Sequence, residues 1–204
     1  MGGEPALGRE AEMELVQALR ARDEAAFMRL VDARSPGMLR VALAFVPSHA
    51  VAEEVVQETW LALLEGIDRF EGRASLKTWL FRVLVNIAKT RGGRERRTVP
   101  FSALTGAAGE DTDPTVDAAG HLPQRWDGAP EAVLQTREVL HRLREAISAL
   151  PQRQRAVVEL RDVAGLPADD VCRMLGLTQG NQRVLLHRGR AHVRQALADY
   201  LGAA

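Results

Sequence analysis

Large apolar residues recur at helical spacing along nearly the whole chain, and the one long interruption, Thr98 to Pro130, sets its architecture. No stretch shows several turns of strict apolar and polar alternation, so the fold class is all-α. Leu15, Val16 and Leu19 mark a first amphipathic segment, and Phe27, Leu30 and Val31 a second with Asp23 as its N-cap. Leu39, Ala42, Phe45 and Val46 mark a third, and Ser35-Pro36-Gly37 and Pro47-Ser48 punctuate the series. From Ser48 to about Ile67 a longer helix places Ala52, Val56, Trp60, Leu63 and Ile67 on one face, with Glu54, Gln57, Glu58 and Glu65 on or near the other. Ser75 then caps a helix whose apolar stripe is Leu76, Trp79, Leu80, Val83 and Ile87.

The interruption is rich in Gly, Ala, Pro, Thr and Asp and reads as a flexible linker, with Trp126 its one large apolar side chain of note. Helical spacing resumes near Ala132 and runs through Leu143, Ile147 and Leu150 to the stop at Pro151. A helix over 152–162 follows, then the turn Ala164-Gly165-Leu166-Pro167 and a short helix through Leu175. Gly176 supplies the left-handed turn residue, and Thr178 caps a helix to about Leu201. Short helix, glycine turn and longer arginine-bearing helix are the parts of a helix-turn-helix. The expected organisation is two small helical domains, 1–97 and 131–204, joined by the acidic linker 98–130.

Charge sharpens that division. The chain carries 27 basic and 27 acidic residues, a net charge of zero that hides four blocks of alternating sign. Residues 1–68 hold 6 Arg against 12 acids, and residues 69–97 hold 9 Lys and Arg against 2 acids. Residues 98–131 hold one Arg against 6 acids, and residues 132–204 hold 11 Arg against 7 acids. Each basic block is a candidate footprint for a polyanion.

Several classes drop out. The single cysteine, Cys172, forms no internal disulfide and no cysteine-rich zinc site. No apolar run approaches the roughly 18 residues of a membrane span, and the start lacks a signal-peptide pattern. The reading is a soluble cytoplasmic protein without membrane insertion. No phosphate loop, Gly-x-Ser-x-Gly elbow or His-Glu-x-x-His pair is present, and the five histidines are scattered. Neither catalytic residues, metal nor cofactor are expected.

Thr78, Arg82, Asn86 and Lys89 fall on one helical stripe, where an Arg, an Asn and a Lys offer donors to bases and phosphates. Arg91, Arg94, Arg96 and Arg97 extend the positive surface. On spacing alone, a solvated basic helix and a nucleic-acid-binding helix fit equally well.

The wording of these segments carries a resemblance. Val51 to Trp60 (VAEEVVQETW) and Asp68 to Lys89 (DRFEGRASLKTWLFRVLVNIAK) closely resemble sigma region 2 of bacterial RNA polymerase sigma factors of the extracytoplasmic-function (ECF) type. Leu150 to Pro167 (LPQRQRAVVELRDVAGLP), with the helix-turn-helix behind it, resembles sigma region 4. The resemblance implies a sigma factor, not an enzyme, that gives core RNA polymerase promoter recognition and strand opening. It implies that Glu54, Gln57 and Glu58 dock on the clamp helices of the largest polymerase subunit. It further implies minus-10 recognition by the loop residues Phe70, Glu71, Gly72, Arg73 and Ser75, together with Lys77, Arg82, Asn86 and Lys89 on the following helix. The recognition helix would present Thr178, Arg183, Val184, His187 and Arg188 to the minus-35 element. An anti-sigma factor is implied as an inhibitory partner, and the acidic linker is either a tether or a segment that enters the polymerase's basic channels.

One departure stands out. Many members carry GTVKSRLHRAR where this chain reads GNQRVLLHRGR from Gly180 to Arg190. Gln182 stands in place of a packed valine, Leu185 in place of a phosphate-binding arginine, and Gly189 weakens the helix by about 0.5–1 kcal/mol relative to alanine. The departure leaves room for altered specificity, a different helix phase, or a domain held by a partner. Two other readings remain at this point: a helix-turn-helix regulator that acts without polymerase, and a protein-interaction module that has lost DNA binding.

Overall fold

The computed structural model describes residues 4–98 and 137–203. Val133, Leu134 and Trp126 lie outside the described residues, as does nearly all of the expected linker. Every regular element among the described residues is helical. Helices α1 (Glu4–Arg20), α2 (Glu24–Ala42), α3 (His49–Gly66) and α4 (Leu76–Thr98) form a first bundle, with a 3-10 turn at Ile67–Arg69 after α3. Its helix starts follow the expected chemistry: the Ala26 amide donates to Asp23 Oδ1 at 3.0 Å, Val51 to Ser48 Oγ at 3.3 Å and Thr78 to Ser75 Oγ at 3.1 Å. Leu19, Met38, Val55, Leu63, Leu80 and Leu84 are the fully buried heart of this unit.

Two local expectations are corrected. Ser35-Pro36-Gly37 does not break the chain, and α2 runs unbroken through Pro36. Proline removes the amide that would reach the Asp32 carbonyl and costs a helix interior about 3 kcal/mol. Burial of Leu30 before it and of Met38 and Val41 after it outweighs that, at roughly 1.5–3 kcal/mol per side chain. The apolar stripe of α4 is also wider than expected. Leu76, Leu80, Phe81, Leu84, Val85 and Ala88 are buried, whereas Trp79, Val83 and Ile87 are only partly so. The helix is enclosed on several sides, by α2, α3 and an element of the second unit described next.

That second unit comprises α5 (Arg137–Ser148), α6 (Gln152–Val158) continuing into a π-helical turn (Glu159–Val163), α7 (Ala168–Leu175) and α8 (Gln179–Ala203). Gly176 ends α7 in the left-handed conformation, with φ 69° and ψ 38°. The Asn181 amide then donates to Thr178 Oγ1 at 3.2 Å and caps α8. The unit's own core gathers Val139, Ile147, Leu150, Val157, Val158, Leu186, Val193 and Leu197 between α5, α6 and α8.

The unusual positions of α8 all face this core. Gln182 is 2% exposed and Leu185 9%, so Leu185 packs instead of meeting a phosphate. At Gly189 a Cβ would lie 2.7 Å from Val158 Cγ2, which makes the glycine a point of close approach between α8 and α6. The departure from the family wording is therefore a repacked helix crossing.

The two units also pack together. Leu160, Ala164, Leu166, Val171 and Met174 join the apolar cluster of the first bundle and not that of their own unit. Arg40 of α2 lies 3.7 Å from the carboxylate of Glu159, which is 3% exposed. Burial pushes the Glu159 carboxyl above its usual range, against the opposing pull of Arg40 and Arg155.

The tight crossing yields a direct expectation. Gly189→Ala gains about 1 kcal/mol of helix propensity but forces the stiff, β-branched Val158 aside at a cost of about 1–3 kcal/mol. Urea denaturation should show a net loss of stability. A gain would mean that α6 yields freely and that the crossing is not tight.

Candidate polymerase and nucleic-acid interfaces

Helix α3 turns Glu54 and Gln57 fully outward and Glu58 partly so, while Val55, Val56, Thr59 and Trp60 hold its other face in the core. Arg91 of α4 reaches both carboxylates, at 3.2 Å from Glu54 and in a shorter contact with Glu58. A residue expected on the phosphate-facing surface is thus turned to the acidic face instead. Leu61 lies one turn beyond Gln57 and is 59% exposed. Sequence reasoning passed over it, although its spacing from Glu54 and Gln57 puts it on the same face. An apolar side chain ringed by carboxylates is the composition of a protein-docking patch.

The loop from Phe70 to Ser75 hangs between α1 and α4. The Arg20 guanidinium donates to the Phe70 carbonyl at 2.6 Å and to the Ile67 carbonyl at 3.3 Å, which fixes the start of the loop. Glu12 accepts from the Leu76 amide at the other end, serving the exposed N-terminus of α4. Phe70 packs edge-to-face on Trp79 with ring centroids 6.0 Å apart, so Trp79 anchors the loop as well as the core. Glu71, Gly72, Arg73 and Ser75 are exposed, with Gly72 at φ 71° and Arg73 paired to Glu71 at 2.5 Å. Between loop and α1 lies an open hollow of about 700 Å³ that Arg9, Met13, Arg20, Phe70 and Arg73 help to line. Its α1 wall was not read from the sequence, because Arg20 and Phe70 are 50 positions apart and no local pattern links them.

The α4 stripe divides. Arg82 and Asn86 are exposed and free to face a strand, but Thr78 is 2% exposed and its hydroxyl donates to Asp170 Oδ2 of α7 at 3.2 Å. The Lys89 ammonium donates to the Met174 carbonyl at 2.7 Å, and partial burial lowers its pKa. Lys77 is likewise lowered, by burial first and then by the neighbouring charge of Arg34. The expected minus-10 residues therefore share one region of the fold without all being open to solvent.

On α8 the expected residues do share one side. Thr178, Arg183, Val184, His187 and Arg188 are all exposed, while Leu185, Leu186 and Gly189 face inward. Arg190 turns from that surface to Asp162, with contacts of 2.8 and 2.5 Å, and the hydrogen bond to Asp162 raises its pKa. Gln179 donates to Asp169 at 2.7 Å and ties the start of α8 to α7. Arginine suits a bidentate contact to guanine, and Val184 a contact to a thymine methyl. Among the described residues no cluster of side chains suits a metal, and no helix is long and apolar enough to cross a membrane.

Comparison with known proteins agrees with this division. Residues 30–98 match sigma-70 region 2, and residues 140–193 match sigma-70 region 4. The RNA polymerase sigma-H factor of Pseudomonas aeruginosa is 26% identical over 195 residues, covering 96% of this chain and 98% of that protein. The ECF RNA polymerase sigma-E factor of Escherichia coli is 27% identical over 176 residues, covering 86% and 88%. Among solved structures, the sigma factor RpoE of Bartonella quintana, in complex with the anti-sigma factor NepR, is 22% identical. It superposes with a TM-score of 0.56 over 84% of this chain and 96% of that one. The chain belongs to the sigma-70 family and is a sigma factor of the ECF type. Its role is to bind core RNA polymerase and direct promoter recognition and strand opening, and it is not an enzyme.

Helix α1 precedes the matched region 2 segment yet holds both ends of the loop. Loss of the charged donor in Arg20→Ala should loosen the loop by about 1–3 kcal/mol. Hydrogen exchange would show this as roughly tenfold or greater acceleration at the amides of 70–76, with the amides of α3 unchanged. Equal protection in the variant would mean that Arg20 does not brace the loop.

Proposed function

We propose that the acidic face of α3 is the polymerase-docking surface, with Glu54, Gln57 and Glu58 as its polar contacts and Leu61 as its apolar centre. The observation that carries this reading is the pairing of exposed carboxylates with an exposed leucine on a helix whose opposite face is committed to the core. Core RNA polymerase would displace Arg91 from Glu54 and Glu58, exchanging an internal ion pair for an intermolecular one. Residues 1–97 would then perform docking, minus-10 recognition and melting, and residues 131–204 minus-35 recognition.

In the first unit, the loop Phe70, Glu71, Gly72, Arg73 and Ser75 takes up an unstacked base, and Lys77, Arg82, Asn86 and Lys89 hold the strand beside it. The hollow between loop and α1 has the size and mixed polarity for such a base. Melting without ATP is energetically reasonable, because capture of a base and its strand offsets the few kcal/mol of unstacking. In the second unit, Thr178, Arg183, Val184, His187 and Arg188 enter the major groove. Action with polymerase on DNA makes the cytoplasm its place of work, and an anti-sigma factor its silencing partner, by likeness to the RpoE and NepR pair.

Run-off transcription with purified core polymerase tests the whole reading. Glu54→Lys with Glu58→Lys should abolish co-purification with core polymerase while leaving helicity intact, whereas Asn86→Ala should retain docking and lose permanganate reactivity of thymines near the start site. Docking that survives the double reversal would sink the α3 assignment.

The α8 surface makes a separate prediction. Arg183 and Arg188 are five apart, about 140° around the helix after a full turn, so one reads a base edge while the other holds a phosphate. Arg183→Ala should relax preference at one minus-35 position by about 1–3 kcal/mol, and Arg188→Ala should weaken all sequences alike and flatten the salt slope. Holoenzyme binding to a base-substituted panel at several salt concentrations measures both. Unchanged affinity and preference in both variants would remove DNA reading from this helix.

A further inference from the structure

Helix α1 lies wholly outside the matched region 2 segment, yet one side of it faces the loop of 70–75. Arg9, Glu12, Met13, Val16, Gln17 and Arg20 recur three and four apart, which makes them one stripe of the helix, and all six border the hollow beside the loop. Three of them are already committed. Val16 is in the core, Glu12 receives the Leu76 amide, and Arg20 donates to the Phe70 and Ile67 carbonyls. Met13 and Gln17 lie between the Glu12 and Arg20 braces and are committed to nothing. Met13 is 63% exposed and joins neither apolar cluster. Gln17 is exposed, and its side chain makes no hydrogen bond with another described residue. Phe70 presents a second apolar surface to the same hollow from the loop side.

We infer that Met13 and Gln17 complete the base site from the α1 side, Met13 as the surface on which the unstacked base packs and Gln17 as the group that reads its edge. The inference rests on the reading of the loop as the base-capturing element. It goes beyond that reading in giving base specificity to a helix outside the matched segment. A base taken out of its stack is held between apolar side chains and read by hydrogen bonds on its Watson–Crick edge. Met13 and Phe70 meet the first requirement, since a flexible, polarisable thioether adapts to a planar ring. The Gln17 carboxamide meets the second, with a donor and an acceptor side by side. Met13 and Gln17 are one turn apart on the same stripe, which sets the reading group next to the packing surface. The braces at Glu12 and Arg20 hold α1 and the loop together on either side of the pair, so the site is formed before the base arrives.

The test uses the full chain bound to core RNA polymerase, with core polymerase alone as the background and a randomised single-stranded DNA 12-mer as the probe. Sequencing of the bound fraction should yield a motif for the wild-type holoenzyme. Met13→Ala removes a side chain that takes no part in the core, and it should lower affinity for the selected 12-mer about tenfold. Met13→Leu restores the apolar surface and should recover affinity to within about twofold. Gln17→Glu leaves only acceptors, which favours guanine, the base with two adjacent donors on its Watson–Crick edge. Its motif should change to guanine at one position and at no other. Wild-type affinity in Met13→Ala, no recovery in Met13→Leu, or an unchanged motif in Gln17→Glu would each overturn the inference. Failure of the underlying reading looks different, because Glu71→Ala with Arg73→Ala would then match the wild type in motif and affinity. Loss of affinity in that loop variant, with wild-type behaviour of the Met13 and Gln17 variants, would overturn the role of α1 alone.

Discussion

Helix α4 must satisfy several neighbours at once, and the rest of the structure follows from how it does so. One side, Leu80, Leu84 and Ala88, is part of the first bundle's core, and near its N-terminus it receives Glu12. Another side meets α7 through Thr78 and Lys89, and Arg91 near its end reaches the carboxylates of α3. Between Leu76 and Gly93 this helix leaves Arg82, Asn86, Lys89, Thr90 and Gly93 exposed. The exposed side chains of α4 are therefore spaced by what the packing leaves uncovered.

Several charged side chains make contacts between helices. Arg91 with Glu54 and Glu58, Arg40 with Glu159, and Arg190 with Asp162 each join a basic residue to an acid from a different helix. The Arg91 pairs are largely exposed and contribute little to stability, on the order of 0–1 kcal/mol, whereas Glu159 is buried. Helix α7 likewise meets α4 through polar contacts, from Thr78 to Asp170 and from Lys89 to the Met174 carbonyl.

Much of the fold could be read locally. Asp23, Ser48, Ser75 and Thr178 each cap the helix they precede, and Gly176 takes the left-handed turn, because caps and turns depend on atoms within a few residues. The outward side of α8 was legible for the same reason. On the inward side, Leu185 packs where the family pattern has a phosphate-binding arginine, and Gly189, read only as a weak point, is where α8 comes close to α6. Neither could be seen without knowing that α6 lies there.

The sequence by itself determined the helices, the family wording and the placing of acidic and basic blocks, since these depend on periodicity and residue identity. Only the tertiary structure decided that α2 passes through Pro36, that Arg20 and Glu12 hold the loop of 70–75, and that α7 rests on α4. Periodicity shows that a helix has an apolar face but not which helix will cover it. Contacts such as Thr78 to Asp170, separated by 92 positions, are set by the summed burial of both units and leave no local signal.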